Sequence, residues 1–254
     1  MSKKLRIGGA SGFWGDSVVA TPQLLNGNNL DFIVYDYLAE ITMSIMARAR
    51  AKDPSKGYAI DFVSSVMKLN LRQISDQKVK ILSNAGGVNP QACAEAIRAL
   101  IKELNLDLKV AVVLGDDLLE DKDKFLDSGV QEMYSDEKFP EVDKIASINA
   151  YLGAFPIAQA LNDGADIVIT GRSVDSAVTL AACIHTYGWK EDEYDKLASG
   201  SLAGHIIECG TQSTGGNFTD WELSSKDLHM IGYPIVDVSE NGEFICTKSN
   251  NTSG

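Results

Sequence analysis

The chain has 254 residues, 44% hydrophobic and 23% charged, enough to bury a full core as one large domain or one and a half. Its formal net charge of −12 excludes the basic face that a nucleic acid or an anionic membrane requires. Cys93, Cys183, Cys209 and Cys246 lie far apart with no paired spacing, which argues against a disulfide framework or a zinc knuckle.

Lys3-Lys4 is followed by an apolar stretch that breaks at once into glycines, so no signal peptide is expected, and no run reaches the length of a membrane-spanning helix. A cytoplasmic, reduced setting is the expectation.

In chain order, Leu5–Ile7 predicts a first strand, Phe32–Tyr35 a second and Val79–Leu82 a third. Val110–Leu114, Ile145–Ile148 and Ile167–Thr170 predict a fourth, fifth and sixth. Amphipathic stretches at Leu38–Ala51, Ala59–Ile74, Pro90–Leu104 and Val174–Tyr187 predict helices between them. In the third, Cys93, Ala96, Ile97, Leu100, Ile101 and Leu104 recur at helical spacing behind a proline suited to a first turn. The alternation predicts an α/β fold: a mostly parallel sheet, doubly wound in three layers with helices on both faces. After about Leu202 the rhythm changes to short β-like pieces (Ile206-Ile207, Pro234–Val238, Phe244–Thr247) between glycine-rich or polar loops. The reading is an α/β domain over residues 1–202. A more β- and loop-rich segment over 203–254 belongs to the same domain or to a truncated following one.

Polar clusters follow the predicted strands. They are Gly8–Asp16, Asp36, Asn84–Asn89, Gly115–Asp117, Asn149–Gly153 and Gly171–Asp175. In parallel sheets ligands bind at the carboxyl ends of strands, so these clusters are expected to converge on one crevice. The glycines at 8, 9, 12 and 15 miss the G-x-G-x-x-G register, and Phe13 and Trp14 crowd the place of a pyrophosphate. No Walker loop is completed, and nicotinamide or flavin chemistry is not expected. Gly9, Ser11 and Gly12 remain candidates for holding an anion through backbone N–H groups, against a plain strand-to-helix turn. Asn84, Gly86 and Gly87 divide the same way, between a cradle for an anion or carbonyl and a turn before the helix cap Asn89. Asn149 joins the same edge. Arg172 is the most exposed-looking cation, able to clamp a carboxylate or phosphate, the alternative being a salt bridge to Asp175 or Asp166. Ser173 and Asp175 stand beside it. On the clamp reading, Arg172→Ala weakens ligand binding and leaves the fold intact.

Residues 203–221 concentrate glycine, histidine, cysteine and side-chain amides, and Gln212, Thr214 and Asn217 are candidates for orienting a carbonyl. His185 reads as structural, and His229 has no partner signal. His205, followed by Glu208 and Cys209, is an acid–base candidate, as is Asp16. If 205–209 form a strand, His205 and Cys209 share a face about 13 Å apart and Glu208 faces away, which disfavours a His–Cys pair. No spacing commends a metal site among His205, Glu208, Asp16 and Asp116, and no metal or cofactor is expected.

Taken together, IGGASGFWGDS at Ile7–Ser17, NAGGVNP at Asn84–Pro90, NAYLG at Asn149–Gly153 and GADIVITGRSVDSA at Gly164–Ala177 form an ordered series. With GHIIECGTQSTGGNF at Gly204–Phe218 and GYPIVDV at Gly232–Val238, the series resembles the acyclic terpene utilisation protein A (AtuA) family. The resemblance runs from about residue 6 to the last residue. Family members continue past a turn like Thr252-Ser253-Gly254, which implies an N-terminal portion. The resemblance implies a role near acyclic terpenoid breakdown through branched acyl-CoA thioesters, and it carries over no catalytic residue.

The resulting expectation is an enzyme of branched acyl-CoA or carboxylated small-molecule catabolism, of lyase, hydratase or hydrolase type. A CoA thioester is its candidate substrate. The alternative is a non-catalytic metabolite-binding subunit of a terpenoid-degradation complex. The expected partner is a small molecule, not a nucleic acid or a membrane, and a homo-oligomer is left open.

Overall fold

The computed structural model describes residues 4–16, 18–223, 225–249 and 252–254. Ser17 of the first motif, and Asn250 and Asn251 of the polar end, lie outside the described residues. Five short apolar runs form parallel strands: β1 (Leu5–Gly9), β2 (Phe32–Tyr35), β3 (Lys80–Ser83), β4 (Val110–Val113) and β5 (Ile167–Thr170). β2 and β5 are buried at every position, as strands covered on both faces must be. Two antiparallel strands, β6 (Pro234–Val238) and β7 (Phe244–Lys248), extend the same sheet, whose order is β4-β5-β3-β2-β1-β6-β7. Register pairs Gly9 with Val34, Tyr35 with Ser83, Ser83 with Ile169 and Val113 with Thr170. The carboxyl ends of the parallel strands therefore lie along one edge.

Alternation along each strand feeds two cores. Ile33, Tyr35, Ile81 and Ile169 join a core beneath α1 (Ala20–Leu25), α2 (Glu40–Lys52), α3 (Lys68–Gln77) and α4 (Pro90–Glu103). Phe32, Val34, Leu82 and Val168 join the opposite core beneath α6 (Ala154–Asn162), α7 (Ala177–Tyr187) and α8 (Tyr194–Glu208). A small α5 (Lys122–Asp127) follows β4 outside both cores. A π-helical stretch, Phe62–Met67, runs directly into α3 and presses Phe62 edge-on to Tyr35 and Tyr37. The fold is the three-layer, doubly wound α/β arrangement expected.

Two expected strands are absent. Ile145–Ile148 has the composition of a strand, but the only ladder contact there is a single bridge between Asp117 and Asn149, so the segment stays a loop. Ile206-Ile207 lies inside α8, where Ala203 and Ile207 point into the core one helical turn apart. Its glycines look like breakers but serve close packing: a Cβ on Gly204 would lie 2.9 Å from Ser176, and one on Gly200 2.8 Å from Leu180. α8 runs through residues 202 and 203 without a break. The four cysteines are free.

The topology supplies the crevice. β3 leaves through α4 to one layer, whereas its neighbour β5 leaves through residues 171–176 into α7 on the other. Adjacent strands that exit to opposite faces define the switch point where ligands bind in open α/β sheets.

Candidate functional site

Three carboxylates meet at this edge. Asp36 follows β2 directly, Asp175 stands in the loop from β5 to α7, and Glu208 is the last residue of α8. One oxygen of each lies within 4.8 Å of the others. Asp36 and Glu208 are each 8% exposed, and Asp175 is partly exposed. Burial pushes the Asp36 carboxyl up to about 7, against the lowering pull of its Asn84 hydrogen bond, and the charges of Asp175 and Glu208 push it the same way. Glu208 is raised by burial and by Asp175, with His205 opposing.

Each acid has a distinct support. The Asn84 amide nitrogen donates to Asp36 Oδ1 at 2.5 Å, while its oxygen accepts the Tyr37 N–H at 2.7 Å. Ser11 Oγ donates to the Asp36 carbonyl at 3.3 Å. His205 Nδ1 lies 2.8 Å from Glu208 Oε1, three residues along α8. The strand expectation for 205–209 placed these two on opposite faces, and the helix reverses that. Glu208 Oε2 is buried with no hydrogen-bond partner among the described residues.

Arg172 is only 4% exposed, which corrects its reading as an exposed cation. Its Nη1 donates to Asp175 Oδ1 at 2.9 Å, to the Leu38 carbonyl at 2.9 Å and to the Ser173 carbonyl at 3.1 Å. The guanidinium carbon sits 4.1 Å from the centroid of the Tyr151 ring, whose hydroxyl donates to Glu40, and Nη2 lies 3.6 Å from that carboxylate. The salt bridge to Asp175 is therefore formed. Nε of Arg172 and Oγ of the fully buried Ser173 have no partner among the described residues.

Behind this group Asp116 Oδ2 accepts the Arg172 backbone N–H at 2.8 Å and the Asn149 amide at 2.9 Å, tying the ends of β4 and β5 together. Burial raises the Asp116 carboxyl, against the Arg172 and Asn149 hydrogen bonds.

The glycines of the expected cradles are placed against protein. A Cβ on Gly9 would lie 2.4 Å from the Ile207 carbonyl, and one on Gly12 2.9 Å from the Cys209 backbone. A Cβ on Gly86 would lie 2.4 Å from the Thr170 carbonyl, and one on Gly87, whose φ is +55°, 2.2 Å from Met46 Sδ. Asp16 accepts the Gly12 N–H at 2.9 Å and closes its own loop. Gln212 and Asn217 are exposed on and beside a 3₁₀ turn, Gly210–Thr214, and Thr214 Oγ1 donates to the Gly232 carbonyl at 2.6 Å. Thr214 also lines a cavity of about 660 Å³ formed with Phe218, Leu223, Cys246 and Lys248.

The structure thus gathers Asn84, Arg172, Ser173, Asp175 and His205 around the carboxylates. Asn149 lies one contact behind, at Asp116. Glu40 joins the group without having been singled out, while Asp36 and Tyr151 were named only within the strand-end clusters and Glu208 only beside His205. The signal for Asp36 was its place directly after a buried strand.

No helix among the described residues is long and apolar enough to cross a membrane. The family model described as acyclic terpene utilisation family protein AtuA matches residues 5–254. No curated protein and no solved structure matches the chain. The chain belongs to the acyclic terpene utilisation AtuA family.

Proposed function

We propose that this member of the acyclic terpene utilisation family is an enzyme acting on a branched small molecule that carries a carboxylate or a CoA thioester. The reaction class is lyase, hydratase or hydrolase. The observation that carries the reading is the His205–Glu208 contact of 2.8 Å at the rim of a three-carboxylate cluster on the sheet's switch point. A carboxylate that holds one imidazole nitrogen fixes the tautomer and frees the ring for proton transfer. All three reaction classes need such a group beside a polarised carbonyl or a departing oxygen. Arg172 Nε–H and Ser173 Oγ–H, buried donors without acceptors among the described residues, suit the oxygen of that substrate. The family membership supports the terpenoid-derived substrate class. In this reading the expected location is the cytoplasm, and the redox alternative loses ground to the missing nucleotide fingerprint.

The test is a panel of branched acyl-CoA thioesters and their free acids, read by thermal stabilisation and by mass spectrometry of products. His205→Gln should keep the stabilisation and lose turnover. Binding without turnover in the unaltered chain assigns it instead to the metabolite-binding class. A panel that neither stabilises the chain nor is converted sinks both.

A further inference from the structure

We infer that Asp36, Asp175 and Glu208 form a binding site for a hard divalent cation of the magnesium, manganese or calcium type. Three separate parts of the fold deliver these carboxylates: the end of β2, the β5–α7 loop and the end of α8. Their ligand oxygens lie within 4.8 Å of one another. In a calcium shell, oxygens at about 2.3–2.6 Å from the ion stand at most about 4.6–5.2 Å apart. In a magnesium shell, at about 2.0–2.1 Å, the limit is about 4.0–4.2 Å. The observed span fits the larger shell as it stands and the smaller after a slight closing.

The second observation is the state of Glu208. Its side chain is 8% exposed, Oε1 is held by His205, and Oε2 has no donor among the described residues. A buried carboxylate oxygen without a donor costs several times what a hydrogen bond returns, so it marks a place for a positive partner. The nearest fixed cation does not serve. Arg172 reaches the cluster through Nη1 on Asp175 alone and divides its donors among the Leu38 carbonyl, the Ser173 carbonyl and Glu40. Asn84 supplies Asp36 with a neutral hydrogen bond. Three carboxylates against one shared guanidinium leave an excess negative charge that a divalent ion balances. An all-oxygen donor set selects a hard ion over zinc or copper. His205 on Glu208 Oε1 then plays the part of an outer group that orients a ligating carboxylate. The proposed site departs from the expectation, drawn from sequence spacing, that no metal is used.

The inference does not depend on turnover, and the experiment needs no substrate. The full chain is stripped with EDTA and titrated with Mn²⁺, with free Mn²⁺ followed by electron paramagnetic resonance and melting recorded in parallel. Saturable binding of one Mn²⁺ per chain is expected, with a raised Tm and displacement by Mg²⁺ or Ca²⁺. Glu208→Gln and Asp175→Asn are near-isosteric, and Asp175 is partly exposed, so at least the second should fold. Each folded variant should weaken Mn²⁺ binding by about tenfold or more. Glu191→Gln, altering an exposed acid outside the cluster, should leave binding unchanged. A wild-type chain that takes up no Mn²⁺ at millimolar concentration overturns the site, as does binding undiminished in the folded variants.

Discussion

Asn84 holds Asp36 from one side only: its amide nitrogen donates to Oδ1 at 2.5 Å while its own oxygen is fixed by the Tyr37 N–H. The Tyr37 contact sets which way the amide points, because a flipped amide would face an N–H with another N–H. Asn84→Ala, at a fully buried position, leaves the Tyr37 N–H without its acceptor and leaves Asp36 Oδ1 with only the longer Leu38 N–H contact of 3.4 Å. The expected cost is about 1–3 kcal/mol, measured by urea unfolding. An unchanged midpoint and slope would show that the pair carries no stability.

Arg172→Ala should unfold the chain more readily than a surface charge deletion would. The guanidinium is buried, and its loss strips a donor from Asp175 and from the Leu38 carbonyl. Leaving the buried Leu38 carbonyl without its donor costs about 1–3 kcal/mol, while the partly exposed Asp175 can turn to water. The earlier expectation that this variant leaves the fold intact assumed a projecting side chain and is withdrawn. Melting of the variant within a degree of the parent would restore it.

Gly9→Ala should be destabilising although it lies in a strand, where a methyl group is usually harmless. The new Cβ would sit 2.4 Å from a main-chain carbonyl, that of Ile207, which has no rotamer to escape through. Overpacking of this kind costs about 1–3 kcal/mol. The shift would move the end of α8, so Mn²⁺ binding should weaken in the same variant. Stability and binding both at the parent's level would refute the close approach.

His185 gives the chain a mild sensitivity to acid. Burial, and then the charge of Lys80, lowers its pKa in the folded protein, while Nδ1 lies 2.6 Å from Asn162 Oδ1. A group whose folded pKa is depressed contributes stability above its unfolded value, and that contribution is lost as pH falls from about 6.5 through the lower folded pKa. His185→Gln should therefore flatten the decline in Tm between about pH 7 and 5. An equally steep decline in the variant would place the acid sensitivity elsewhere.

The parallel strands were legible because a buried strand must be apolar on both faces, and Phe32–Tyr35 and Ile167–Thr170 carry little else. α8 was not, because its glycines at 200 and 204 mimic helix breakers until Leu180 and Ser176 are seen against them. The crevice followed from one rule of topology, applied to loops that the sequence shows in order. Its membership did not. Asp36 stood out only as one polar residue among several strand-end clusters, and Glu208 stood out as a neighbour of His205 on the wrong face. Proximity between positions 36, 175 and 208 is created by the winding of the chain, and local pattern carries no trace of it.

That winding has a consequence for anything held among the three carboxylates. Asp36 and Glu208 are 172 residues apart in the chain (208 − 36), and the elements that carry them and Asp175 border both hydrophobic cores. No fragment that stops short of spanning residues 36–208 contains the whole set. A bound ligand would stitch the two helical layers to each other through the sheet edge, so its affinity would register as resistance of the entire chain to heat and protease.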